Sequence, residues 1–99
     1  MSVYLNQFET EDEVIVAICD KEILGKCFEE EEKQIHIREG FYKGELVSLD
    51  EGLEAMRKAT IANIVGERIV AGALKANLIH ERAIIRIQNV PHAQLVVAK

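Results

Sequence analysis

The apolar positions in the first third of the chain repeat with the period of β-strands. Residues 14–19 are apolar at every position, so the pattern predicts a central strand that is covered on both faces. Residues 3–8 have weaker strand character and are predicted to lie at a sheet edge. Residues 24–28 are predicted to return as a strand in which Gly25 marks a bulge or a close backbone approach. Residues 33–38 alternate between polar and apolar side chains, which indicates a strand with one solvent-exposed face.

The middle of the chain changes to the apolar spacing of helices. Residues 39–48 contain two glycines and are predicted to form a turn-rich crossover before this change. Ser48 and Glu51 have the spacing of a capping box, which predicts that a helix begins there. Beyond Thr60 the apolar stripe moves to the other side of the helix, so we predict two helices with a break near that residue. The second helix is expected to end at Asn77, because asparagine tolerates the left-handed conformation of helix ends.

The last part of the chain returns to strand-like patterns. Residues 83–88 and 94–98 are predicted to be strands joined through Pro91, which belongs at a turn or a strand start because it cannot donate a backbone hydrogen bond. Together, these elements predict a single compact α+β domain over residues 1–99. Its sheet is expected to be mostly antiparallel with four or five strands, and the helical pair is expected to pack on one face.

The distribution of charge limits the class of partner. The net charge is −5, and residues 1–50 hold five Lys or Arg against thirteen Asp or Glu, whereas residues 51–99 hold seven against four. The acidic run at residues 29–32 is predicted to be a solvated loop. Because phosphate binding depends on clustered positive charge, a nucleic-acid coat over the whole surface is excluded. An RNA partner is therefore less favoured than a protein partner, with Arg82 and Arg86 as its remaining support.

No segment of the sequence predicts a membrane anchor or an export signal. The longest uninterrupted apolar run is far shorter than the roughly 20 residues that cross a bilayer. Residues 1–8 have neither a basic region nor a long apolar segment. We therefore expect a cytoplasmic protein that does not bind membranes.

His92 and Gln94 form the first candidate binding site. If the chain is extended beyond Pro91, their side chains share one face of a strand while Ala93 points away. A ring that titrates near neutral pH beside a carboxamide is a reasonable polar recognition pair. The alternative is that His92 is a turn residue whose ring binds a local carbonyl group.

A second candidate site lies on the predicted second helix. Thr60, Asn63 and Glu67 have i, i+3 and i+7 spacing, which would place them on one polar ridge. Arg68 adds a positive charge beside this ridge. An ordinary solvated helix face would give the same pattern, so this alternative stays open.

The sequence gives little support for catalysis or for metal binding. A small acid–base enzyme would pair His92 with Glu67 or another carboxylate, but no serine or cysteine nucleophile lies nearby in sequence. Cys19 and Cys27 lack C-x-x-C spacing, so a zinc site completed by a histidine is not predicted. We expect no cofactor and no catalytic residues, and we keep the small enzyme as an alternative.

A third alternative is a subunit whose role is the assembly of a homo-oligomer. Ile64 is predicted to lie towards the charged side of the second helix, where an isolated exposed isoleucine can form a dimer contact. A homodimer is therefore retained among the predicted partners.

Four separated blocks of the sequence carry a family resemblance: EVIVAICDKEILGK, FYKGELVS, ATIANIVGERIV and VPHAQ. In order and spacing they resemble the small archaeal proteins grouped as domain of unknown function 424. The resemblance covers nearly the whole chain and implies an archaeal cytosolic protein with a compact α+β domain. It brings no activity, cofactor or substrate. The sequence thus favours a non-catalytic binding module for a protein or an RNA partner.

Overall fold

The structure is a computed structural model that describes residues 2–97. Within this range the chain forms eight β-strands and three α-helices. In chain order they are β1 (Val3–Glu9), β2 (Val14–Asp20), β3 (Cys27–Glu30), β4 (Lys33–His36), α1 (Glu39–Tyr42), β5 (Glu45–Val47), α2 (Leu49–Lys58), β6 (Ile61–Val65), α3 (Glu67–Lys75), β7 (Ile85–Ile87) and β8 (Val90–Val96). Two short 3-10 helices, Lys21–Ile23 and Glu81–Ala83, lie in the connections.

Six of the strands form one mixed sheet, in the order β5-β1-β2-β6-β8-β7. The central pair β2–β6 is parallel, and the other neighbouring strands are antiparallel. The α+β class is therefore confirmed, whereas the expected sheet of four or five strands is too small and lacks the parallel pair. The expectation that residues 3–8 form an edge strand is wrong, because β1 lies between β5 and β2.

The helices α2 and α3 pack together on one face of this sheet, which we call the first face. Side chains that alternate along the two central strands point towards them, among them Ile18 of β2 and Ile64 of β6. The helices contribute Met56, Ile69 and Ala73 to the same buried cluster. The predicted packing of a helical pair on one face is confirmed, and burial of this apolar area is the main stabilising contribution to the fold.

The capping box at the start of α2 is present as predicted. The Ser48 hydroxyl accepts a hydrogen bond from the backbone N–H of Glu51 at 3.1 Å, and the Glu51 carboxylate accepts one from the backbone N–H of Ser48 at 3.2 Å. At the other end of the helical pair, α3 ends at Lys75 and Asn77 has a φ of 60°, the left-handed conformation expected of a helix stop.

The segment after Thr60 differs from the prediction. Helix α2 ends at Lys58, so the break is present, but the next element is the central strand β6 and not a second helix. The second helix begins only at Glu67, after Gly66. Ile64 is therefore buried in the first-face core, and a dimer contact through Ile64 is wrong.

The opposite side of the sheet, which we call the second face, is covered over only part of its area. The hairpin β3–β4 and the short helix α1 pack on it through Phe28, Ile37 and Tyr42, which contact Cys19 and Val65 of the central strands. The hairpin is held against the turn between β7 and β8, where the backbone N–H of Gln88 donates to the Glu30 carboxylate at 2.6 Å and its side chain donates to the Glu29 carbonyl at 2.7 Å. The hairpin β3–β4 and α1 are called the cover below, and these contacts hold the hairpin at the end of the sheet next to the β7–β8 turn.

The hairpin β3–β4 also corrects three local predictions. The strand expected at residues 24–28 begins only at Cys27, and Gly25 lies in a turn with a φ of 84°. Half of the expected acidic loop, Glu29 and Glu30, belongs to β3. Within the crossover expected at residues 39–48, the chain forms α1 and β5.

The connection between β7 and β8 is a two-residue turn at Gln88 and Asn89, whose φ values of 50° and 66° are both left-handed. Pro91 therefore lies inside β8 and not in the turn, which corrects the predicted corner. Its missing N–H is tolerated because Gly66, the residue opposite, lies beyond the end of β6. The last residue of the predicted strand 94–98, Ala98, lies outside the described residues.

No helix within residues 2–97 has the length and apolar character needed to span a membrane.

Candidate functional site

One end of the second face carries a row of apolar side chains that the hairpin does not cover and that α1 reaches only at Phe8, where the Phe41 ring stacks on the Phe8 ring with centroids 5.7 Å apart. The strand registers place Phe8 opposite Ile15, Ile15 opposite Ile61, and Ile61 opposite Val96, so the row crosses β1, β2, β6 and β8. Phe8 is 36% exposed and Val96 is 64% exposed. Ile15 and Ile61 between them are half-buried, and a contiguous, partly exposed apolar row of this kind is typical of an interaction surface.

A row of polar side chains borders this apolar row on the side of the cover. Asn63 of β6 lies directly opposite Gln94 of β8, and both project from the second face. Gln94 is exposed and Asn63 is half-buried. On β1 the Asn6 side chain donates to the Phe41 carbonyl at 3.1 Å, and the Phe41 ring extends from this level to stack on Phe8. The surface called the open half below consists of the following residues: Phe8, Ile15, Ile61, Asn63, Gln94 and Val96.

Negative charge borders the other side of the open half. The turn between β1 and β2 follows Phe8 and precedes Ile15, and it contains or adjoins four carboxylates. These are Glu9, Glu11, Asp12 and Glu13. Acidic side chains at the rim repel phosphate groups and attract Lys and Arg.

The structure brings together two of the predicted site residues, Asn63 and Gln94, although Asn63 lies on a strand and not on a helix. His92 shares their face, as predicted from the alternation along β8, and lies opposite Val65 and Ile85. It is close to the cover and not within the open half. Sequence reasoning missed Phe8, Ile15, Ile61 and Val96, because their exposure depends on which strands pair and on where the cover ends.

His92 lines a pocket of about 470 Å³ between the hairpin β3–β4 and the strands β7 and β8. Tyr42, Ile85 and Ile87 contribute to its walls, together with residues 32–35 of the hairpin. Among the described residues, neither ring nitrogen of His92 has a hydrogen-bond partner, so the alternative of a ring bound to a local carbonyl does not hold. Burial lowers the pKa of His92 and raises the pKa of Tyr42 to about 12. Both side chains therefore line this pocket as neutral groups at neutral pH.

Thr60 lies away from this surface and closes the start of β2. Its hydroxyl accepts a hydrogen bond from the Val14 N–H at 2.9 Å and donates to the Val14 carbonyl at 3.1 Å. The Thr60 N–H donates to the same carbonyl at 2.8 Å. The predicted polar ridge of Thr60, Asn63 and Glu67 is wrong, because these residues do not share a helix. They lie in the loop before β6, in β6 and at the start of α3.

Glu67 and Arg68 lie at the start of α3, on the opposite side of the sheet from His92. Glu67 forms an ion pair with Arg86 at 3.4 Å, and Arg68 pairs with Glu22 and donates to the Ser2 carbonyl at 2.9 Å. The acid–base pair of His92 and Glu67 expected for an enzyme is therefore not assembled, since α3 packs on the first face.

The comparisons with known proteins agree with this fold. Residues 8–97 match a family model described as a protein of unknown function, DUF424. The chain belongs to the DUF424 family. It is also similar to an uncharacterized conserved protein from Methanopyrus kandleri, whose crystal structure has a TM-score of 0.81, 28% identity, and coverage of 100% of this chain and 96% of that chain. No match is found among curated proteins. The family resemblance of the four sequence blocks is confirmed.

The DUF424 chain uses one further polar residue, Asp20, that sequence reasoning did not select. The Asp20 carboxylate, at the end of β2, accepts hydrogen bonds from the backbone N–H groups of Arg68 at 2.8 Å and Ile69 at 3.0 Å. Burial raises the pKa of Asp20, and these two hydrogen bonds oppose the increase. Asp20, at the end of β2, therefore caps the start of α3. An aspartate directly after an apolar strand was the available signal.

The two cysteines of the DUF424 chain lie in different environments. Cys19 is buried in the second-face core, where burial raises its pKa to about 12, and Cys27 is exposed on β3 opposite His36. Within residues 2–97, no group of three or more His, Cys, Asp or Glu side chains could hold a metal ion.

Proposed function

We propose that this DUF424 protein is a non-catalytic binding module whose open half binds a segment of a partner protein. The observation that supports the proposal is the apolar row across four strands, which the hairpin leaves uncovered and which α1 contacts only through the stacking of Phe41 on Phe8. Apolar area removed from water contributes roughly 25 cal/mol per Å², so a partner that covers the row gains affinity from it. The sheet is held rigid by the first-face core, which keeps the row pre-organised for binding.

The chemistry of the surface favours a partner segment that is apolar with flanking Lys or Arg residues. The apolar part would cover the row, and the basic residues would lie at the acidic turn between β1 and β2. The side-chain amides of Asn63 and Gln94 offer both donors and acceptors to the partner's main chain. An RNA partner is disfavoured, because the same carboxylates repel phosphates and the aromatic ring of the open half, Phe8, already stacks on Phe41.

Affinity capture with two matched variants tests the proposal. Ile61→Lys places a charge in the centre of the open half, whereas Ile85→Lys places the same charge on β7, where Ile85 is 51% exposed and lines the His92 pocket. Tagged wild type and both variants are incubated with lysate of the source organism, and bound proteins and RNA are identified separately. Thermal unfolding of each variant confirms that it is folded.

We expect wild type and Ile85→Lys to retain the same protein, and Ile61→Lys to lose it. Retention is expected to weaken as salt increases, because the acidic turn contributes through screened charges. A protein retained equally by Ile61→Lys would contradict the proposed surface. If RNA stays bound after the captured proteins have been removed, the partner is a nucleic acid and not a protein.

The His92 pocket supports a second candidate function, the binding of a small molecule. A half-buried ring with unpartnered nitrogens in a pocket of about 470 Å³ has the size and chemistry of a ligand site. Glu32 is the carboxylate that lines this pocket and could act with His92 in an acid–base reaction. Native mass spectrometry of wild type and His92→Ala tests this function. A small molecule retained by wild type and lost from the variant supports it, and two identical ligand-free spectra contradict it.

An archaeal origin and a cytoplasmic location complete this proposal. The similarity to a Methanopyrus kandleri protein supports the first.

A further inference from the structure

The outer edge of β8 is unpaired over its second half. Two hydrogen bonds establish the direction of its backbone groups: the Gly66 N–H donates to the Pro91 carbonyl at 2.9 Å, and the Val97 N–H donates to the Thr60 carbonyl at 2.8 Å. Because ladder bonds alternate along an antiparallel strand, odd-numbered residues of β8 bond towards β6 and even-numbered residues point away from it. β7 occupies this outer edge only as far as His92, which lies opposite Ile85.

The backbone N–H and C=O groups of Gln94 and Val96 therefore point outward, and they have no partner within residues 2–97. Exposed edges are usually protected from pairing by charge, proline or short length. The other edge of the sheet, β5, has three residues and includes Glu45. By contrast, residues 93–97 read AQLVV, without charge, proline or glycine, and Val97 is 47% exposed.

We propose that this edge binds the same edge of a second copy, so that two sheets join across a twofold axis at Leu95. In this antiparallel arrangement Gln94 lies opposite Val96 of the second copy, and the two pairs exchange four backbone hydrogen bonds. The same residues supply both sides, as a twofold interface requires.

The length and charge of the edge favour a second copy over another strand. β7 begins at Ile85, opposite His92, so the free edge of β8 is limited to residues 93–97. An antiparallel copy with its axis at Leu95 presents the same five residues in return. The segment is neutral, and the acidic turn lies between β1 and β2, on the far side of β6, so residues 93–97 of the two copies bring no like charges together. An acidic or basic segment would find no complementary charge in residues 93–97.

A groove beside this edge would receive side chains of the second copy. Its volume is about 450 Å³, and it is lined by Leu78, Ile79 and Ala83 of the loop between α3 and β7, and by Leu95. The odd-numbered side chains of the second copy project on this side of the joined sheet, so Leu95 and Val97 of the copy lie next to the groove. Since five residues form a small interface, we expect weak association with a dissociation constant on the order of 100 μM.

Sedimentation equilibrium from about 10 μM to about 1 mM measures the assembly. We expect the mass of wild type to rise from 11.1 kDa towards twice that value. Two double variants test the register: Gln94→Lys with Val96→Lys places like charges opposite each other twice, whereas Gln94→Lys with Val96→Glu places opposite charges there. The first is expected to dimerise at least about tenfold more weakly than wild type, and the second to dimerise as well as wild type.

Cysteine cross-linking provides an independent test in a Cys27→Ser background. Residues at the axis are a non-hydrogen-bonded pair with Cα atoms about 4.5 Å apart, so Leu95→Cys is expected to form an intermolecular disulfide. Val97→Cys is the control, because its two copies would be about 13 Å apart along the strands. Ile61→Lys is expected to leave the mass unchanged, which separates this interface from partner binding at the open half. A wild-type mass that stays at 11.1 kDa, equal masses for the two charge variants, or cross-linking of Val97→Cys alone would overturn the proposal.

Discussion

Replacement of Asp20 by alanine tests the connection between β2 and α3. Asp20 is 5% exposed, and its carboxylate is the acceptor for two backbone N–H groups at the start of α3. Asp20→Ala leaves the N–H groups of Arg68 and Ile69 without an acceptor. Loss of an N-cap costs up to about 2 kcal/mol, and loss of a negative charge at a helix N-terminus costs up to about 1 kcal/mol more. We therefore expect the free energy of unfolding to fall by about 1 to 3 kcal/mol.

Urea denaturation at pH 7, followed by circular dichroism, measures this loss. For a small domain the unfolding free energy changes by about 1 to 3 kcal/mol per molar urea, so the midpoint is expected to fall by about 0.3 to 3 M. Asp20→Asn keeps the shape and one oxygen acceptor and is expected to lose about half as much. Asp50→Ala is the matched control, because Asp50 is an exposed carboxylate in the first turn of α2, and removal of its charge should lower stability by no more than about 1 kcal/mol. A loss below about 1 kcal/mol for Asp20→Ala, or an equal loss for Asp50→Ala, would refute the assigned role.

Two further predictions concern residues from the candidate sites. Thr60→Val preserves the side-chain shape but removes the hydroxyl that pairs with Val14. We therefore expect urea denaturation to show a loss of about 1 to 3 kcal/mol in the free energy of unfolding, while capture of the partner is unchanged. Lost capture in a folded variant would instead assign Thr60 to the binding surface. Because burial lowers the pKa of His92, this residue binds a proton more readily in the unfolded chain than in the folded protein. The contribution of neutral His92 to stability is therefore present above the ordinary histidine pKa of about 6.5. It is lost as the pH falls through the lower pKa of His92 in the folded protein. Urea denaturation between about pH 7.5 and pH 5 should therefore show a smaller decrease in stability for His92→Gln than for wild type, with the exposed His36→Gln as control; identical pH profiles for His92→Gln and wild type would contradict this account.

The elements that the sequence predicted well are those specified by local chemistry. The capping box at Ser48 needs only residues within one helical turn, and the left-handed stop at Asn77 needs only a residue that tolerates that conformation. Residues 14–19 were recognised as a central strand because an apolar run of that length is typical of a strand covered on both faces.

The elements that were missed depend on contacts between distant parts of the chain. The apolar spacing of Ala62, Val65 and Ile69 predicts a helix that continues into α3, whereas residues 61–65 form β6, and β-branched residues followed by Gly66 also fit a short strand. Pro91 predicts a turn at its own position, whereas Asn89 and its neighbour Gln88 place the turn two residues earlier.

The candidate site was predicted in part. Asn63 and Gln94 were both selected for their polar side chains, and the structure makes them cross-strand neighbours. The apolar part of the surface could not be predicted, because Ile15 and Ile61 resemble core residues until the extent of the cover is known. Their role in binding stays a prediction.

The parallel pairing of β2 and β6 also has a consequence for the rate of folding. Ile15 lies opposite Ile61, so the central strands meet only after the chain between them, with its hairpin, α1, β5 and α2, has closed into a large loop. The chain loses the conformational entropy of that closure before the long-range contacts provide any stabilisation. We therefore expect this protein to fold more slowly than a helical bundle of the same length, with a transition state in which the two strands have already met.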